Sequence, residues 1–256
     1  MCYGFPMLSR KLKIALEFLT IFCVGKPGEE IAKEDIANSV VFFPLVGLLL
    51  GGFCASAEII LDDYISSVMA RSLFPIIILA IFSRGLHLDG VADTFDALHF
   101  ADNDKEKAIE VMKGKTIGAF GTSALVLVIV GKLVSISALP EEFRIESLLL
   151  IPALSRWTSS IVARQSGPAE PEGLGFIFTA YTTRKACFIS GLIALAISVL
   201  ILGKAGLMIF ALVSVLGFFL SSYFNRAFGG VTGDVFGAVI ELSEVFGFFV
   251  VGIVVR

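Results

Sequence analysis

Residues 84–96 read RGLHLDGVADTFD, and only Ser83 separates them from an apolar run, FPIIILAIF, at 74–82. Asp89, Asp93 and Asp96 are spaced i, i+4, i+7, which puts all three on one face if the helix continues through them. Gly90 weakens that helix by about 1 kcal/mol relative to alanine. Each ionised aspartate at mid-bilayer costs about 2.5–3.5 kcal/mol, so three facing lipid would cost roughly 8–10 kcal/mol. They must therefore face water, a cavity or a cation. Repulsion along one helix face favours a bound cation, and oxygen-only ligands favour Mg²⁺, or Mn²⁺, over zinc. The plainer alternative is that the chain simply leaves the membrane here and water solvates the carboxylates.

The composition explains why a membrane enters the question. Of 256 residues, 56% are hydrophobic and 17% charged, against about 25% charged in soluble domains. The mean hydropathy is +0.90, more apolar than one soluble core requires. A net charge of −3 offers no basic face to nucleic acid, which is not expected as a partner. Four cysteines without a C-x-x-C pair, and only two histidines, argue against a zinc centre.

Apolar stretches long enough to cross a bilayer fall near 39–61, 67–87, 117–139, 145–162, 186–203, 205–223 and 235–255. The expected fold is thus an all-α, polytopic integral membrane protein with about seven transmembrane helices, residues 1–256 forming a single membrane-embedded domain. Upstream, Arg10, Lys11 and Lys13 precede IALEFLTIFCVG (14–25). Glu17 interrupts that run and no small-residue cleavage site follows, so it reads as an amphipathic surface helix rather than a signal peptide. The polar stretch 101–116, ADNDKEKAIEVMKGKT, repeats Ala108, Ile109 and Met112 at helical spacing and reads as a short surface helix.

Seven spans place the N-terminal segment and loops 84–116, 163–185 and 225–233 on one side, with fourteen Lys or Arg. The other side holds four: Arg71, Arg144, Lys204 and Arg256. The positive-inside bias makes the first side cytoplasmic, and the aspartates belong to it. Glu58, Asp62 and Asp63 fall on the opposite side and read as a solvated helix end.

A second acidic stretch, NRAFGGVTGDVFGAVIE (225–241), opens the last span. Asp234 and Glu241 lie seven apart on one face, with Glu241 about two turns into apolar sequence. A charge that deep needs a partner, and the Asp89 cluster, or a metal shared with it, is the expected one. GVADTFDAL from Gly90 and GVTGDVFGAV from Gly230 agree at several positions with one insertion, as two facing half-sites would. One or two divalent ions held between them would suit phosphoryl transfer.

Arg84 and Arg226 flank the two motifs, and Lys113 and Lys115 lie on the same side; phosphate contact and simple positive-inside bias compete as their explanation. Gly118, Gly121, Gly229, Gly230 and Gly233 allow backbone to approach a ligand, although glycine is equally common where membrane helices pack. His87 is a candidate proton acceptor or a structural hydrogen-bonding residue. Arg156, inside the fourth span, must pair with a carboxylate or an anionic substrate.

Taken together, GLHLDGVADTFDAL, EVMKGKTIGAFG (110–121) and GGVTGDVFGAVIELSE (229–244) resemble the cobalamin synthase, or adenosylcobinamide-GDP ribazoletransferase, family. FFPLVGLLLGG in the first span, SRW in the fourth and EGLG after it extend the resemblance through nearly the whole chain. The TFDAL portion and the N-terminal MCYGFPMLSRKL depart from the family pattern without touching the acidic positions. The resemblance implies a Mg²⁺-dependent enzyme of the cell (plasma or inner) membrane, with its active site on the cytoplasmic side. It would join adenosylcobinamide-GDP to α-ribazole or α-ribazole 5′-phosphate and release GMP, the last step of nucleotide-loop assembly. Asp89, Asp93, Asp96, Asp234 and Glu241 are the implied metal ligands, and Asp89, Asp93, His87 and Arg84 the catalytic candidates. Lys113, Lys115, Arg226, Asn225, Gly118 and Gly121 are the candidates for substrate phosphate. The two substrates and the lipid bilayer are the expected partners, with association into a homo-oligomer left open.

Two rival readings remain at this stage. CDP-alcohol phosphotransferases share a D-G-x-x-A-R pattern, but Asp93 stands where arginine is needed, and aspartate-rich prenyltransferases, related in chemistry, use a different first motif. An ion transporter would place carboxylates near mid-bilayer, where only Glu241 lies.

Overall fold

The computed structural model describes residues 9–24, 31–101, 104–114 and 116–255. The N-terminal stretch 1–8 and Lys115 lie outside them. Every regular element among the described residues is helical, with one isolated bridge joining Pro168 to Val231. The order is α1 (Arg10–Leu19), α2 (Lys33–Asn38), α3 (Phe43–Asp62), α4 (Val68–Arg71), α5 (Leu73–Phe82) and α6 (Leu86–Ala101). Then follow α7 (Lys105–Met112), α8 (Ala119–Ser137), α9 (Arg144–Gln165), α10 (Gly173–Tyr181), α11 (Arg184–Phe228) and α12 (Gly233–Val254).

The expected amphipathic helix is α1. Ser9 caps it by accepting from Leu12 N, its inner face buries Ile14, Ala15 and Leu19, and Arg10 reaches Asp35 at 3.3 Å. The expected surface helix is α7, capped by Asp104 through Lys107 N at 2.9 Å.

The centre of the molecule is α9, buried along most of its length. Its most extensive partner is α3, and the FFPLVGLLLGG pattern supplies the reason. A side chain at Gly51 would meet the Leu149 carbonyl at 2.6 Å, so glycine brings the two backbones together.

By length and composition alone, four stretches among the described residues suit a membrane crossing: 33–62, 119–137, 184–228 and 233–254. A fifth appears if the pair 68–82 and 86–101, bent by 87°, counts as one. The expected seven is not reached by that criterion, for two physical reasons. First, α9 carries Arg144, Glu146, Arg156 and Arg164, which lower its hydropathy. Second, α11 is a single helix in name only. At Gly203 its backbone takes φ 55° and ψ −127°, a conformation open to glycine, and the chain reverses. On one side of the reversal Ser190 Oγ meets Ser160 Oγ at 2.9 Å. On the other, Ser214 Oγ accepts from Trp157 Nε1 at 2.9 Å, and Ser221 Oγ meets Ser166 Oγ at 2.8 Å. Both arms of this hairpin therefore pack along α9, in opposite directions.

Candidate active site

The bend between α5 and α6 is made at Arg84 and Gly85, both with positive φ (56° and 72°). Arg84 is the one non-glycine among the described residues in that region, a strained conformation of the sort that clusters at functional sites. The bend turns α6 away from α5 and lays it on α12. Two glycines set how close the helices come. A side chain at Gly90 would meet the Asp234 carbonyl oxygen at 2.5 Å, and one at Gly237 would meet His87 Cα at 2.9 Å. The two acidic motifs thus touch through reciprocal glycine contacts.

This contact gathers Asp89 and Asp93 on α6 with Asp234 in the first turn of α12. The charges of Asp89, Asp234 and Asp96 all act on Asp93, and those of Asp89 and Glu170 act on Asp234. Thr232 Oγ1 donates to Asp234 Oδ2 at 3.3 Å. Asp89 is exposed, and Asp93 and Asp234 are half-buried, so the group opens to solvent. Helix N-termini add favourable dipoles at Asp89 and Asp234.

Asp96 is turned to a different task. Its Oδ2 accepts from Gly118 N at 2.6 Å and its Oδ1 from Gly121 N at 2.8 Å, so it caps the start of α8. Side chains at Gly118 or Gly121 would come within 2.6 and 2.5 Å of that carboxylate. These glycines admit Asp96, and their N–H groups are engaged by it.

Glu241 lies apart from the aspartates. Seven residues of helix span roughly 10 Å, and its partner at that depth is Lys132 of α8, at 2.6 Å from Oε2. Lys132 also pairs with Glu244, which pairs in turn with Arg156. The expectation that Glu241 answers the Asp89 cluster is thus corrected: a lysine supplies the positive charge. His87 belongs to this buried group as well, with Nδ1 4.0 Å from Glu241 Oε1. Arg156 neutralises a carboxylate, which was one of its two expected roles.

The remaining candidates divide. Lys113, just past α7, pairs with Glu170. Asn225 Oδ1 accepts from Gly167 N at 2.9 Å and anchors the loop that carries Glu170. Arg226 lines a cleft of about 630 Å³ with Leu98, Phe218, Phe219 and Tyr223, and none of the described residues lining it is acidic. At the far end of α3, Glu58 is not solvated as expected. It is buried and binds Arg71 at 3.0 Å and Arg144 at 2.6 Å, while Asp62 pairs with Arg71.

A family model described as cobalamin-5-phosphate synthase matches residues 11–252. The chain belongs to this family. The match spans both acidic helices and the loop between α9 and α10. Curated relatives bearing the name adenosylcobinamide-GDP ribazoletransferase agree with this assignment. The proteins of Shigella flexneri and of Escherichia coli K12 are each 34% identical over 241 residues, covering 93% of this chain and 97% of theirs. No solved structure matches.

Three residues around the family's acidic motifs escaped the sequence reading. Lys132 and Glu244 had a signal, since an ionised residue inside an apolar helix demands a partner. Glu170 had none: SGPAEPE (166–172) reads as an ordinary polar loop, and only the fold brings it to Asp234.

Proposed function

We propose that this chain catalyses the ribazole transfer named for its relatives. Adenosylcobinamide-GDP and α-ribazole, or α-ribazole 5′-phosphate, would give adenosylcobalamin or its 5′-phosphate and GMP. The single observation carrying this is the glycine-mediated contact of α6 with α12, which brings Asp89, Asp93 and Asp234 to one solvent-open place.

The donor chemistry fits Mg²⁺ or Mn²⁺, since it consists only of carboxylate oxygens whose repulsion a cation would relieve. Among the described residues, no three His, Cys, Asp or Glu side chains are gathered closely enough to hold a metal ion, so an ion would have to draw these carboxylates together. Asp89, Asp93 and Asp234 are the residues that would hold it; Asp96 and Glu241 are engaged elsewhere. A divalent ion there would neutralise charge building on the phosphate oxygens. The protein's own part is to orient and to move a proton. A ribazole hydroxyl attacks the phosphorus bearing the cobinamide arm, the bond to the GMP oxygen breaks, and GMP departs with the electron pair. The hydroxyl proton passes to an Asp89 or Asp93 oxygen. His87 is buried with Nδ1 4.0 Å from Glu241 Oε1, which favours the aspartates over it as acceptor.

Counting α9 and both arms of α11 as crossings, with the bent pair as another, gives seven. The fourteen-to-four distribution of Lys and Arg then turns the site to the cytoplasmic face of the cell membrane. The test is turnover by purified protein supplied with adenosylcobinamide-GDP, α-ribazole and Mg²⁺. GMP and a new cobalamin peak, both lost on chelation, are expected. A folded sample that releases no GMP, with or without lipid, would remove the assignment.

A further inference from the structure

The loop 166–172 is fastened to the turn that precedes α12. Val231 N donates to Gly167 O at 2.9 Å, Ala169 N donates to Val231 O at 3.2 Å, and Asn225 holds Gly167 from the other side. At Gly230 any side chain would run into the backbone of Pro168 and Ala169. Glu170 is therefore fixed beside the acidic group, and its charge acts on Asp234. Another carboxylate at this place adds repulsion to the three aspartates already gathered there. The group that offsets it is Lys113, which reaches across from the end of α7.

The two partners differ in freedom. The Glu170 side chain is 25% exposed and rides on a clipped loop, whereas that of Lys113 is 63% exposed on a flexible stem. A pair this open to water is weakly held and exchanges readily. A lysine ammonium also accepts phosphate as well as carboxylate, because it acts as a point charge.

We propose that Glu170 is an internal stand-in for substrate phosphate. It holds Lys113 at the acidic mouth while the site is free of substrate, and the diphosphate of the nucleotide substrate displaces it. Lys113 is then the phosphate grip and Glu170 its resting counter-ion. The inference rests on the transferase reading only for the identity of the anion, a nucleoside diphosphate.

The test is calorimetric titration of the detergent-purified full chain with GDP in the presence of Mg²⁺. Both side chains reach solvent, so E170Q and K113Q should fold, and unchanged melting temperatures check this. E170Q is expected to tighten GDP binding about two- to fivefold, the range of an exposed ion pair. K113Q is expected to weaken it, and E170Q added to K113Q to give no gain. A gain that persists without Lys113 would mean general charge repulsion and overturn the proposal. Weaker binding by E170Q alone would overturn it too. If the wild-type protein binds no GDP yet releases GMP from adenosylcobinamide-GDP, this inference is overturned and the transferase reading stands; if it also releases no GMP, the transferase reading fails.

Discussion

Two groups of ionisable residues gather along α12 and are built on opposite terms. Where α6 meets the start of α12, Asp89, Asp93, Asp234 and Glu170 come together, and among the described residues the cation paired there is Lys113, through Glu170. Deeper along α12, Glu241 and Glu244 meet Lys132 and Arg156, two charges of each sign, all sealed from solvent. Buried charges persist in an apolar interior only when matched, so the deep group is matched side chain by side chain. Among the described residues the mouth is left with excess negative charge, where it opens to solvent. The difference separates charges matched inside the protein from charges left open to solvent, which the proposed function reserves for a ligand.

The sharpest way to break this comparison is to unmatch the deep group. Lys132→Met leaves two glutamates facing one arginine, and removal of one partner from a buried pair costs about 3–5 kcal/mol. We expect a large fall in melting temperature and little folded protein. Adding Glu241→Gln restores the balance between Arg156 and Glu244 and should recover much of that loss. Equal stability of the two variants would show that charge balance is not what holds this region.

A smaller effect should follow from separating the helices at the mouth. In Gly90→Ala the new methyl meets the Asp234 carbonyl, and overpacking of this kind costs about 1–3 kcal/mol. Turnover should fall further than stability does, because the aspartates move apart; a variant with undiminished turnover would remove the helix contact from the mechanism.

The smallest of these effects should come from Asp96→Ala, which strips α8 of its cap for about 0.5–2 kcal/mol. Asp96→Asn keeps an acceptor and is expected to retain measurable GMP release. Its complete inactivity would instead make Asp96 a ligand.

How much of this was legible beforehand follows from what each residue needs. The three aspartates and Asp234 were visible because carboxylates beside apolar runs are costly and therefore conspicuous. The break near Gly203 was visible too, as the boundary between two expected spans, and the structure turns it into a reversal. Pairing was not visible. Lys132 and Glu241 are 109 positions apart in the chain, and nothing local records that α8 and α12 adjoin there. The same blindness made Glu58 look solvated, since Arg71 and Arg144 come from other elements. Glu170 was hidden for a further reason: its position depends on backbone bonds between two loops, which leave no pattern in side-chain chemistry.

The central claim is that charge at the mouth serves chemistry and not folding, and Asp93→Asn tests it most directly. GMP release from adenosylcobinamide-GDP and α-ribazole should be measured on a preparation whose melting temperature is recorded alongside. The account predicts a melting temperature at or slightly above the wild-type value, as one repelling charge is gone, and a loss of turnover of about a hundredfold or more. An Asp93→Asn protein that releases GMP at the wild-type rate would contradict it.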